Sequence, residues 1–226
     1  MLRAFAIVAV LIPATAHADC AMWGLAPKVL TPANGVVATD GGIVVAAVPE
    51  ARGDLTPGDP AVQNGWRLRV GGSLVKPPID KLAPGLAVYR AAVANSFKLE
   101  LEDDKHAVVA SVRPARDAGD ALAAPKLRRV WFERIMSKRG GTRVGVELDG
   151  AAPPHAVALV LADAQGTPRS WTLVDGNATL YPYLTGDCRA LPNGTLPSKA
   201  GDKVTLFWVD DAGRKSAASK PVEIAP

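Results

Sequence analysis

Few residues in this chain are equipped for chemistry at neutral pH. The histidines are His17, His106 and His155, and histidine is the side chain whose ordinary pKa places proton exchange near pH 7. No Gly-x-Ser-x-Gly, His-Glu-x-x-His, Cys-x-x-Cys or P-loop pattern surrounds them, so the usual nucleophile, zinc-peptidase and phosphate-cradle motifs are missing. Ser73 and Lys76 in "SLVK" have the Ser-x-x-Lys spacing of penicillin-interacting enzymes. That chemistry needs Ser at a helix start with Lys one turn later. Here "VGG" and "PP" flank the stretch, which reads as strand and sends the two side chains to opposite faces. Acidic residues are scattered over turns, and the sequence places no carboxylate pair face to face, so glycoside hydrolysis has no support from it. The expectation is a protein that is not an enzyme.

Binding chemistry is better represented. "KLRRVWFERIMSKRGGTR" (126–143) carries Lys126, Arg128, Arg129, Arg134, Lys138, Arg139 and Arg143 against Glu133, with Trp131 and Phe132 between them. Such a run would form a face for an anionic ligand: polysaccharide, lipid headgroups or an acidic protein. The competing reading is a hairpin whose Arg and Lys stems cover apolar strand edges while their charges stay in water. Of the five tryptophans, Trp66 and Trp208 alternate with strand neighbours and are expected in the core; Trp171 and Trp23 are less constrained. "NAT" (177–179) and "NGT" (193–195) are glycosylation sequons that matter only in a eukaryotic secretory pathway.

Residues 1–18 read as a secretory signal: Arg3 as the positive start, Ala4–Ile12 as an apolar run too short to span a bilayer, then two Ala-x-Ala cleavage sites ending at Ala16 and Ala18. A lipid anchor on Cys20 would need a small residue before it, and Asp19 is there instead. "AVALVLA" (156–162) has only strand length, so no membrane span is expected. The location implied is periplasmic or secreted, in a bacterial source. In an oxidising compartment the two cysteines, Cys20 and Cys188, favour one disulfide; two separate thiols are the alternative. The disulfide would close nearly the whole mature chain, a constraint of about 4–5 kcal/mol by chain entropy. Two cysteines and two mature histidines are too few for a structural zinc site.

The elements that must carry these residues are strands. "WRLRV" (66–70), "FKLELE" (97–102) and "RVGVELD" (143–149) alternate apolar and polar residues, and "KVTLFWVDD" (203–211) is apolar on both faces, as expected of a central, sandwiched strand. "PANG", "TDGG", "LAPG", "EDDKH", "KRGG", "DAQG", "LPNG" and "DDAG" punctuate the runs as turns. No segment holds a helical stripe beyond two turns. A net charge of +4, or +3 once Arg3 leaves with the signal, is too mild to imply nucleic acid as a partner. "RPARDAGDALAAP" (113–125) breaks the alternation, and residues 114–125 are read as a linker between 19–113 and 126–226. Each flank has the size of one immunoglobulin-like sandwich; one larger sandwich with a long crossover is the alternative.

"APKVLTPANGVVATDGGIVVAAVP" (26–49), a strand, a Pro-x-x-Gly turn and a second strand, resembles bacterial Ig-like domains. With "PGLAVYR" (84–90) and "DKHAVVASV" (104–112) it is also similar to the CopC-type periplasmic copper-binding sandwich. "VTLFWVDDAGRKSAASKPVEI" (204–224) resembles the closing hairpin of Ig-like or fibronectin-type domains. The CopC-type resemblance implies a Cu(II) site of His17, Asp104 and His106, with the N-terminal amine of His17 as a further ligand if cleavage follows Ala16. Cu(II) favours such nitrogen and oxygen donors, and residues i and i+2 of a strand share a face. The chain departs from that pattern: "HADCAMWGL" separates His17 from the first strand, and cleavage after Ala18 would remove it. Asp103 and Asp104 also read as a polar hairpin turn.

These readings combine into an all-β protein of two tandem Ig-like β-sandwich domains. It is expected to be exported and non-catalytic, serving adhesion, envelope structure or binding, with envelope polysaccharide or protein as partner and no cofactor. The alternative is a periplasmic Cu(II)-binding protein.

Overall fold

The period of two becomes strand throughout. A computed structural model of the chain describes residues 24–32, 35–50, 66–76, 78–90, 97–116, 122–134, 141–184 and 200–226. Among them it contains no helix. The strands are β1 (Gly24–Val29), β2 (Val36–Ala38), β3 (Gly42–Glu50), β4 (Arg67–Val70), β5 (Ser73–Val75), β6 (Ile79–Ala83), β7 (Leu86–Arg90), β8 (Leu99–Glu102), β9 (Val108–Arg116), β10 (Leu127–Arg134), β11 (Thr142–Leu148), β12 (Ala156–Asp163), β13 (Pro168–Leu173), β14 (Thr179–Leu184), β15 (Lys203–Asp210) and β16 (Val222–Glu223). They form four sheets, ordered β2-β9-β8-β4-β5, β1-β3-β7-β6, β13-β12-β15-β16 and β10-β11-β14.

Three cores join these sheets into four layers. Ile43, Val45 and Tyr89 of the β1-β3-β7-β6 sheet meet Leu68, Leu99, Leu101, Ala110 and Val112 of the five-stranded sheet. Leu159, Leu161, Leu206 and Trp208 of the β13-β12-β15-β16 sheet meet Val130, Val144, Val146 and Leu180 of the three-stranded one. The third core lies between the two middle sheets: Val44, Ala46, Leu86 and Val88 pack against Ala158, Val160, Trp171, Phe207 and Val209. Alternation explains the sharing. On β3, Ile43 and Val45 point one way and Val44 and Ala46 the other; β12 and β15 divide their side chains in the same manner. These strands are therefore apolar on both faces, as expected of strands buried on both sides. Burying one Val- or Leu-sized side chain contributes about 1.5–3 kcal/mol, so the middle core joins the halves instead of leaving them as beads on a string.

Polar contacts lock the same junction. The Thr31 hydroxyl donates to the Asp211 carbonyl at 2.7 Å and accepts from the Val44 N–H at 2.8 Å. The Arg90 guanidinium donates to the carbonyls of Gly213 at 2.9 Å and Asp40 at 3.0 Å. The Trp171 indole N–H donates to the Pro84 carbonyl at 2.8 Å. Ala212, in the turn after β15, is fully buried within the core of the first half.

Two observations refine the sequence reading. β9 continues to Arg116, into the composition break, because Arg113, Pro114 and Arg116 pair in parallel with Val36, Val37 and Ala38. Trp171, read as unconstrained, is in the middle core, 8% exposed. Trp208 and Trp66 pack against cores as expected, Trp66 beside Tyr89 at 6.1 Å between ring centroids. The signal segment, His17, Trp23, both cysteines and their proposed disulfide lie outside the described residues.

Candidate functional site

The copper ligands are tested first, because their geometry was expected from strand parity. The described pair is in a turn. Asp103 Oδ1 accepts the N–H groups of Lys105 at 2.9 Å and Ala107 at 2.8 Å, and the His106 N–H donates to the Asp103 carbonyl at 3.1 Å. His106 has φ +68°, the left-handed conformation that closes such a turn. Asp104 is exposed on its crest. The parity that would make Asp104 and His106 converge is therefore absent. The His106 ring lies against the Arg67 guanidinium, whose fixed positive charge opposes a dication. Among the described residues no three His, Cys, Asp or Glu side chains come together as a metal cage. Asp104 and His106 are thus not brought together on one strand face, and His17, the third residue of that set, lies outside the described residues. Ser73 is likewise on strand β5, not at a helix start.

The basic run is arranged differently. β10 and β11 pair with Trp131 opposite Gly145 and Glu133 opposite Arg143, and β14 closes the other side of β11. Val130, Val144, Val146 and Leu180 face the core. The opposite parity puts Arg129, Trp131, Glu133, Arg143 and Tyr181 on the outer face. A bulge between Leu127 and Arg129 leaves Arg128 and Arg129, consecutive residues, both exposed. Gly145 is required there: a Cβ on it would run into the Trp131 indole, which lies across the strand.

These side chains interlock. Trp131 and Tyr181 meet edge-on, with ring centroids 6.3 Å apart and planes at 80°. The Arg129 guanidinium is 5.4 Å from the centroid of Trp131, and that of Arg143 is 4.2 Å from Tyr181. Arg143 also donates to both oxygens of Glu133, at 2.9 and 2.8 Å, and the Trp131 indole N–H reaches Glu133 at 3.3 Å. Arg143 foremost, then Trp131, holds the Glu133 carboxyl below its ordinary value, and the Arg143 guanidinium is raised in return. The pairing favours the ionised form of both groups.

The seven cations read from sequence thus divide by environment. Arg143 is bound to Glu133, and Arg128 bridges Glu147 at 3.0 Å and Asp149 at 3.9 Å. Arg129 is exposed, seated on Trp131 and without a carboxylate partner among the described residues. Lys126 and Arg134 are exposed at opposite ends of β10; Lys138 and Arg139 lie outside the described residues. Beside the start of β10, Lys126, Leu148, Asp149, Gly150, Pro153 and Trp208 line a cleft of about 240 Å³. Tyr181 is the residue sequence reasoning missed. It is the third residue of β14, and nothing local marks it as part of the face; its place follows from β14 pairing with β11.

The molecule so described is an all-β protein of four packed sheets with an outward-facing aromatic and arginine face. No known protein family matches the chain, and no curated protein does. A solved structure titled "Biofilm associated protein - BSP domain" is similar over 88% of this chain, at 11% identity and a TM-score of 0.28. This chain spans 29% of that one.

Proposed function

We propose that the protein is an exported, non-catalytic binding protein of the bacterial cell surface or envelope. It is built from two Ig-like sandwiches and takes polysaccharide on the outer face of the β10-β11-β14 sheet. The strand orders support the Ig-like reading. Lettered in chain order, β1-β3-β7-β6 corresponds to A-B-E-D of an immunoglobulin sandwich, and β9-β8-β4 to G-F-C opposite it. In the second half, β10-β11-β14 corresponds to A-B-E and β13-β12-β15-β16 to C′-C-F-G.

The observation that carries the binding reading is the Trp131–Tyr181 pair on an open sheet face, with Arg143 and Glu133 fixed beside it. Sugar rings present apolar C–H faces and polar hydroxyl edges. Aromatic rings flanked by planar, oriented donors and acceptors match both. Pairing keeps Arg143 and Glu133 in place, so they need not be ordered when a ligand arrives.

Affinity electrophoresis of the exported protein through gels containing acidic or neutral polysaccharides tests this. Retardation by at least one polymer is expected, and Trp131→Ala and Tyr181→Ala should each weaken it about tenfold or more, as loss of a stacking ring does. Because Glu133 is held below its ordinary 4.5, the face's order is present above that pH and lost only as pH falls beneath it; the protein's side of binding should stay constant from neutrality down to about pH 5. Equal retardation of wild type and both variants would place the site elsewhere.

A further inference from the structure

Resting on that reading, we propose that the polymer is acidic and that Arg129 takes its carboxylate, with the chain lying along β10. The arginines of this face are not equivalent. Arg143 has both its carboxylate contacts from Glu133, and Arg128 is shared between Glu147 and Asp149. Arg129 stands opposite Glu147 in the ladder, but that carboxylate is engaged by Arg128 at 3.0 Å. Its guanidinium is backed by the indole of Trp131. A guanidinium held over an aromatic ring keeps its charge and its fork of N–H donors, which matches a carboxylate with two parallel hydrogen bonds. The aromatic backing also limits the rotamer freedom lost on binding.

The neighbours favour an extended polymer over a single small anion. Lys126 and Arg134 add exposed cations at the two ends of β10, a strand of eight residues, which spans roughly 26 Å. Between them lie the aromatic pair and Arg129, and the Lys126 end opens on the 240 Å³ cleft. Arg134 has the parity of Val130 and lies beyond the far end of the outer face. On that face the Arg129 guanidinium and the aromatic pair follow one another, with Lys126 before the start of the strand, a succession that corresponds to sugar rings with a carboxylate beside them. Compact anions would use only one of these positions.

The experiment uses the full exported protein with polygalacturonate and alginate, the same polygalacturonate after reduction of its carboxylates to alcohols, and dextran sulfate. Titration calorimetry should show binding to at least one uronate polymer and loss on carboxyl reduction. Arg129→Lys, which keeps the charge but not the fork, should weaken binding about tenfold, and Arg129→Gln at least as much. Arg129 is exposed, so both variants should keep the wild-type circular dichroism. Undiminished binding of the carboxyl-reduced polymer, sensitive to Trp131→Ala, would overturn the carboxylate assignment and leave polysaccharide binding standing. Dextran sulfate binding as tightly as the uronates, with Arg129→Lys unchanged, would reduce the face to diffuse charge attraction and overturn it too. Binding to none of the polymers would overturn both readings.

Discussion

Asp103, Asp163 and Asp210 perform one task in three hairpins. Each carboxylate accepts the N–H of residues i+2 and i+4: Lys105 and Ala107, Gln165 and Thr167, Ala212 and Arg214, all between 2.8 and 3.0 Å. In each, the residue at i+3 is left-handed: His106 at φ +68°, Gly166 at +80° and Gly213 at +78°. Burial alone would raise the Asp163 carboxyl, yet the Thr167 N–H, the Arg169 guanidinium and the Gln165 N–H together hold it below its ordinary value. His106 is thus the residue standing where the other two turns have glycine. A side chain there costs about 1 kcal/mol or more. We predict that His106→Gly raises stability by about 1 kcal/mol in urea unfolding; a loss of stability would mean that the imidazole has a structural role its turn does not explain. The sequence contained this clue. "DDKHA", "DAQGT" and "DDAGR" share an Asp three residues before the left-handed position, but His at that position resembled a ligand and hid the match.

At the scale of elements, the strands were legible because alternation is local, and their partners were not. "KVTLFWVDD" was readable as buried on both faces, and β15 is. What covers each face is decided by residues far away in the chain, so the packing of β12 and β15 on β3 and β7 left no local trace. The basic run was readable as a cationic segment. Its conversion into an ordered face depends on Glu147 from β11 and Tyr181 from β14, whose pairing is set by sheet topology. The hairpin after β15 shows how tightly the halves depend on each other. Gly213 needs positive φ, and a Cβ on it would also run into the Val88 side chain of β7. Gly213→Ala should therefore cost about 2–4 kcal/mol, the sum of left-handed strain and overpacking. Chemical unfolding would measure it, and a cost below about 1 kcal/mol would show that this turn does not seat against β7 as described.

For the whole molecule, the three cores stack the four sheets so that the outermost layers face away from each other. The middle core is shared, so it is unavailable to ligands, and the first half offers its five-stranded sheet with Arg69 already bound to Glu102 at 2.5 Å and Lys98 to Glu100 at 2.6 Å. On the opposite side, the three-stranded sheet combines aromatic rings with an arginine free of carboxylates among the described residues. The proposed binding face is that layer. The most direct test is a titration of isotope-labelled protein with a uronate oligosaccharide, followed by the indole N–H resonances of the tryptophans. The account predicts that the Trp131 signal moves, together with the Arg129 and Arg143 side-chain N–H groups, while the buried Trp171 and Trp208 stay still. Shifts confined to the five-stranded sheet, or none on β10, β11 and β14 under conditions where the oligosaccharide binds, would contradict it.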